Sequence, residues 1–282
     1  MKIVVAEQHT TSYLYLLGAS FDRELVLNDY LTLLPAKCSP LPDDMIDSVM
    51  KYGSQDETDL GILIATLRKT TAQLRVVGSG SRELASRVWN AQTAVVLLSS
   101  LLNTEMYWHV QSSEPAESFS SRAVTDVVVS SRMFLPRDTV TIASSEQAWL
   151  RQYYQIAWEL LDDERFATAV NSLWSYRQSP RPSTQLAVLW AGIESLFGVQ
   201  SELVFRISTL SALFLKGGIQ EQSKIKKLYS ARSKAVHEGK QPSIADVSAS
   251  AELLHALIRK CVERGNCQAR IICYLSETWN IY

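Results

Sequence analysis

The run Leu186-Ala-Val-Leu-Trp-Ala-Gly-Ile-Glu-Ser-Leu-Phe197 is apolar at almost every position, with Gln178-Ser-Pro-Arg-Pro182 ahead of it and Gly198 behind it. Its length and these stops predict a buried helix over residues 185–197, capped by Ser183 or Thr184. The same texture continues on both sides. Trp149, Tyr153, Ile156, Leu160 and Leu161 recur at helical spacing, as do Phe166, Val170, Leu173 and Trp174. Further helices are expected at 201–216, stopped by Gly217-Gly218, at 220–237, stopped by Gly239, and at 244–264, after Pro242. Short turns between helices of this length predict an antiparallel bundle over residues 146–282. Its expected core includes Leu189, Trp190, Ile193, Leu196, Leu210, Leu213, Phe214, Leu228, Leu253, Leu257 and Ile258. The tail, 269–282, reads as a strand or a short helix.

Residues 1–145 have a different texture. Aliphatic and β-branched runs at 25–27, 30–34, 74–77, 124–129 and 139–142 alternate with Gly, Pro, Ser and Asp, which predicts strands. Residues 57–69 and 82–102 have the length and apolar density of helices, and 111–121, rich in Ser and Glu with Pro115, reads as an exposed loop. The expected fold is therefore an α+β N-terminal module (1–145) followed by an all-α bundle (146–282), the second opened by an N-cap at Ser144-Ser-Glu146.

Composition narrows the function classes. With 282 residues and 46% hydrophobic content the chain can bury two cores. A formal net charge of -1 excludes nucleic-acid binding through bulk positive charge, so such binding requires a local patch. Cys38 stands alone, and Cys261, Cys267 and Cys273 are spaced by six, which suits no zinc module; reduced thiols and no metal are expected. The apolar run in Met1-Lys-Ile-Val-Val-Ala-Glu7 is too short for a signal peptide, and no run approaches the roughly 20 residues of a membrane span. A cytoplasmic protein without a membrane partner or cofactor is expected. Val76-Val-Gly-Ser-Gly-Ser-Arg-Glu83 lacks the third glycine and the Lys-Ser/Thr ending of nucleotide-binding turns, and reads as a turn before a helix. His9, His109 and His255 lack acidic or cysteine partners at ligand spacing, and nothing marks a strained nucleophile turn.

Chemistry concentrates in Tyr229-Ser-Ala-Arg232-Ser-Lys-Ala-Val-His237-Glu-Gly239. Histidine takes and gives protons near neutrality, and arginine offers a permanently charged fork for phosphate oxygens. Five residues of helix separate the two side chains by about 140°. Convergence thus needs the helix end before Gly239, or a second copy across a dimer cleft, and the spacing leaves both open. Glu194, a carboxylate in an apolar helix, needs a cationic or donor partner, with Arg232 or Arg206 as candidates. It either orients the arginine or forms a structural ion pair. Lys224, Lys226, Lys227, Lys234 and Lys240 surround the motif; Lys227, Lys234 and Lys240 are the candidates for a phosphate-binding patch, against the alternative of a solvated helix face.

Three segments, taken in order, resemble the HEPN superfamily and specifically its Apea-like branch. They are Leu186–Phe197 with Glu194, then Glu202-Leu-Val-Phe-Arg206-Ile-Ser, then Leu228–Gly239 with Arg232 and His237. The resemblance covers roughly residues 150–265. It implies a helical bundle that forms a homodimer and brings two arginine-histidine motifs to one cleft. Many members are endoribonucleases of defence, toxin-antitoxin or RNA-processing systems, Apea-like members are linked to abortive infection, and others are inactive scaffolds. On this resemblance RNA is the substrate. The ribose 2′-hydroxyl attacks the adjacent phosphate without metal, His237 acts as base or acid, and Arg232 stabilises the phosphate charge; such an enzyme needs restraint, for which the N-terminal half, a regulatory or antitoxin-like partner and a small-molecule trigger all stay open. Ser233 stands where many HEPN motifs carry Asn, Asp or His; it donates a hydrogen bond but does not shuttle protons at neutral pH.

Overall fold

The computed structural model describes residues 5–37, 43–44, 46–47, 57–120, 122–127, 136, 138–199 and 203–267. The chain divides into two compact units, Met1–Gln155 and Ile156–Tyr282. The division falls inside an uninterrupted helix, Ser144–Glu159, rather than at a linker.

The first unit is α+β. Strands β1 (Thr11–Leu17), β2 (Ala19–Ser20), β3 (Leu25–Val26) and β4 (Leu31–Pro35) precede helix α1 (Glu57–Lys69), strand β5 (Ala72–Val77) and helix α2 (Ser81–Leu101). Strands β6 (Tyr107–Ser112), β7 (Thr125–Val127) and β8 (Val140–Thr141) follow, and then helix α3 (Ser144–Glu159). One sheet of order β3-β4-β5-β1-β6-β7 is antiparallel throughout, while β2 and β8 form a short parallel pair. Alternation along β1 buries both faces of the sheet. Tyr15 packs with Leu63 and Leu67 of α1 and with Val110 and Phe119, and Leu14 and Leu16, on the other face, are equally buried. Helix α2 packs along β5 and β1.

The central strands β1 and β6 were not among the strands expected from the sequence, although Ser-Tyr-Leu-Tyr-Leu-Leu17 before Gly18 carries the aromatic and aliphatic residues that favour a pleated, buried surface. The segment 111–121 is also not an exposed loop. Gln111 and Ser112 complete β6, Ala116 and Phe119 are buried, and a short 3-10 turn spans Ala116–Ser118. Polar groups of the sheet hold it there: the Tyr15 hydroxyl donates to Glu114 O (2.7 Å), Ala116 N to Gln73 Oε1 (2.8 Å), and Gln73 Nε2 to Glu117 Oε2 (2.8 Å). Residues 128–129 of an expected strand, Ser121, Cys38, Glu202 and the tail 269–282 with Cys273 lie outside the described residues.

The second unit is helical, with α4 (Glu164–Ser175), α5 (Pro182–Phe197), α6 (Leu203–Phe214), α7 (Ile219–His237) and α8 (Ile244–Arg264). Helix α5 packs on each of the other four. Its start is Pro182 rather than Gln185: proline occupies the first turn, where its missing N–H costs nothing, behind Arg181 as N-cap. At Gly192 a Cβ would lie 2.7 Å from Ser172 Cβ and 3.0 Å from Leu254 Cδ2, so glycine is what lets α4 and α8 approach α5 this closely. Trp190 is fully buried and its indole donates to Ser250 Oγ (3.2 Å), tying α5 to α8. Of the expected core residues, Leu189, Trp190, Ile193, Leu196, Phe214, Leu253, Leu257 and Ile258 are buried. Leu213 is the clear departure at 52% exposure; Ser211, Ala212 and Phe214 take the inward positions of α6.

Candidate active site on helix α7

Helix α7 reads Ile-Gln-Glu-Gln-Ser-Lys-Ile-Lys-Lys-Leu-Tyr-Ser-Ala-Arg-Ser-Lys-Ala-Val-His. At 100° per residue its inward face carries Ile225, Leu228, Tyr229, Arg232 and Ala235. Ile225, Tyr229 and Ala235 are buried, and Leu228 and Arg232 half-buried. Lys227, Ser230 and Lys234 fall at i, i+3 and i+7 on the opposite, exposed face.

Arg232 therefore points into the bundle. Its Nη2 lies 3.5 Å from Glu194 Oε1 of α5, and its guanidinium sits 5.6 Å from the centre of the Tyr229 ring. The ion pair is not completed by a well-aligned hydrogen bond, since Glu194 Oε1 and Arg232 Nε have no hydrogen-bond partner. Tyr229 lies beside Glu194 and stands edge-on to Trp190, with ring centres 5.0 Å apart. Burial pushes the Tyr229 phenol above its ordinary range; the Glu194 charge adds to this and Arg232 opposes it. Of the two cations considered for Glu194, Arg232 takes the ion pair, while Arg206 is exposed on α6. Tyr229, for which the sequence suggested no role, is the third member of the cluster; its position one turn before Arg232 was the available signal.

His237 is the last residue of α7 and is exposed. The helix stays regular up to it and stops because Glu238 N donates to Lys234 O (3.0 Å), Lys240 N reaches the same carbonyl (3.3 Å), and Gly239 takes a left-handed φ of +67°. The helix end thus leaves Arg232 and His237 about 140° apart around the axis. It is Arg232 and Glu194 that the fold brings together. Ser233 lies half-buried between the two faces.

The three candidate lysines do converge. Lys227, Ser230 and Lys234 of α7, with Lys240 and Gln241 of the following turn and Asp246 of α8, line a cleft of about 400 Å³. His237 continues the same face of α7, one turn beyond Lys234. Two carboxylates temper the positive charge. Lys240 Nζ pairs with Glu238 Oε2 at 2.8 Å, which holds the Glu238 carboxyl below its usual range. Asp246 is engaged in a capping box, accepting from Ser243 N (3.1 Å) and Ser243 Oγ (2.7 Å) while Ser243 Oγ accepts from Asp246 N. Ser230, Gln241 and Asp246 were missed because their approach depends on the turn between α7 and α8.

The remaining sequence features resolve locally. In the Gly78–Glu83 turn, Ser79 N (2.7 Å) and Ser79 Oγ both donate to Glu83 Oε2, so the start of α2 is closed by its own glutamate. His109 is buried and stacks on Tyr107. Among the described residues no group of three or more His, Cys, Asp or Glu side chains is placed to hold a metal ion, and no helix is long and apolar enough to cross a membrane. No protein-family model, curated protein or solved structure matches this chain.

Proposed function

We propose that this protein is a metal-independent endoribonuclease of the HEPN type, acting in the cytoplasm in phage defence, abortive infection or a toxin role. The observation that carries the reading is the outer face of α7, where Lys227, Lys234 and Lys240 line one cleft and His237 follows on the same face. The lysines hold the RNA backbone as point charges. His237 takes the proton of the ribose 2′-hydroxyl or returns one to the leaving 5′-oxygen, and the product ends in a 2′,3′-cyclic phosphate. Arg232, oriented by Glu194, supplies the charge that stabilises the phosphorane. Because Arg232 and His237 of one chain face apart, the pair acting on one phosphate combines residues of two protomers in a homodimer formed through the helical unit. The first unit serves as a sensor or as the contact for a regulatory, antitoxin-like partner.

A second reading is favoured by one observation, the commitment of Arg232 to Glu194 and Tyr229 on the inward face. On that reading the unit is a scaffold that binds RNA or a protein through the lysine cleft without cutting. Incubating the purified chain and its His237→Ala variant with mixed RNAs separates the two. Cleavage to cyclic phosphate ends by the wild type, reduced about 100-fold or more in the variant, supports the enzyme. Equal cleavage by both removes His237 from the site, and RNA binding without cleavage by either selects the scaffold.

A further inference from the structure

Helix α8 ends in a reversal that returns the chain over its own last turn. Gly265 takes a left-handed φ of +66°, its N–H donates to Val262 O at 3.0 Å, and Asn266 N–H donates to Cys261 O at 3.2 Å. This pair of bonds defines the glycine-terminated helix stop in which residues past the glycine fold back on the final turn. Cys267 comes next, directly after the residue that bonds the Cys261 carbonyl, which returns it to the helix end that carries Cys261, where the two thiols interact electrostatically. Both are free thiols; Cys261 is 1% exposed and Cys267 is half-exposed. The spacing of six that suits no zinc module is thus the spacing that returns one thiol to another across a helix stop.

We propose that Cys261 and Cys267 form a thiol-disulfide exchange site, oxidised by a low-molecular-weight disulfide such as glutathione disulfide and reopened by the corresponding thiol. Access sets the order of events. The Cys267 thiolate attacks one sulfur of glutathione disulfide, forming a mixed disulfide and expelling a glutathione thiolate that takes up a proton. Cys261 then gives its proton to solvent and its sulfur attacks the Cys267 sulfur, closing the protein disulfide and expelling the second glutathione. Two protein thiols are oxidised, and one glutathione disulfide is reduced to two thiols. The neighbouring Cys267 thiol and then burial push the Cys261 thiol above its ordinary range. Cys261, 1% exposed, is out of reach of glutathione disulfide, so its sulfur reacts only after the accessible Cys267 has been modified. Closure draws the two sulfurs into a bond of about 2.05 Å. The last turn that it pins carries Arg264, which donates to Phe214 O at 3.2 Å and stacks 4.3 Å from the centre of the Phe214 ring. Oxidation therefore pins the turn that ends α8, and this site does not depend on the ribonuclease reading.

The test equilibrates the full-length chain in graded glutathione redox buffers, blocks remaining thiols, and maps cross-links by mass spectrometry. The expected product has lost two hydrogens and joins Cys261 to Cys267. It persists in Cys38→Ser and Cys273→Ser and is absent in Cys267→Ala, a surface change that leaves the core intact. Oxidation is also expected to raise the thermal midpoint of the wild type but not of Cys267→Ala. A glutathione adduct that stays on Cys267, a cross-link from Cys261 to Cys38 or Cys273, or both thiols remaining fully blockable in the most oxidising buffer overturns the proposal.

Discussion

Glu194 is the residue on which the candidate site turns, because a partly buried carboxylate is stable only while its cation stays in place. Arg232 supplies that cation, and Tyr229, one turn earlier on α7, lies beside the same carboxylate. Glu194→Ala is expected to destabilise the protein by about 1–3 kcal/mol, since it leaves Arg232 half-buried without its counter-charge; urea denaturation with unchanged slope checks this. If Glu194 also orients Arg232 for catalysis, Glu194→Gln lowers kcat more than it lowers stability, whereas a purely structural pair moves stability alone. Tyr229 gives a pH signature. Its phenol is raised in the folded state, so the folded chain holds that proton more tightly than the unfolded chain. The stability this contributes is complete below the ordinary tyrosine range of about 10 and is lost as pH rises through it. Tyr13 and Tyr154 are raised as well and act with the same sign. Tyr229→Phe is therefore expected to shrink, without abolishing, the fall in denaturation midpoint between about pH 9 and pH 11. An unaltered fall would mean that the phenol is not buried against Glu194.

At the scale of the element, helix α7 separates two jobs by angle: one face holds the bundle together and the other gathers lysines. Replacing Lys227, Lys234 and Lys240 together by alanine is expected to weaken binding of single-stranded RNA across all sequences. It should also reduce the slope of log K against log salt by about 2, near 0.7 for each phosphate that a lysine neutralises. A variant with an unchanged slope would assign these lysines to solvent. Helix α5 makes the opposite demand, for close approach, and Gly192→Ala is expected to cost about 1–3 kcal/mol by forcing apart Ser172 and Leu254, measurable as a lowered urea midpoint. The elements legible in the sequence are those whose signals are local. Helix α8 begins at the Ser243–Asp246 box and ends at Gly265, and α5 stops at Gly198, each in the residues themselves. What escaped depends on partners distant in the chain. β1 and β6 are central because β5 and β7 flank them, and 111–121 is buried because Tyr15 and Gln73 reach for its backbone. Helix α6 is apolar on several faces, so nothing local told Leu213 from Phe214. In the site, the Glu194 ion pair was foreseeable from a lone carboxylate among apolar residues. Lys227 and Lys234 share a face by their spacing of seven, but Lys240 joins them only through the turn at Gly239.

For the whole molecule, the geometry of α7 turns oligomeric state into a chemical question. Arg232 and His237 of one chain point about 140° apart on a helix that is regular to its end, so one chain does not present both to the same phosphate. If the proposed reading holds, the working site pairs Arg232 of one protomer with His237 of its partner across a two-fold axis. Mixing inactive Arg232→Ala and His237→Ala chains, after exchange of protomers, then rebuilds one intact site in each mixed dimer, from the arginine of one chain and the histidine of the other. Random exchange makes half of the dimers mixed, each with one of its two sites intact, so about a quarter of wild-type RNA cleavage is expected to return. A site contained within one chain would recover nothing on mixing. The measurement needs both variants to exchange, which mass measurement on the mixture verifies, and a wild-type chain that stays monomeric while cleaving RNA would rule out the composite site directly.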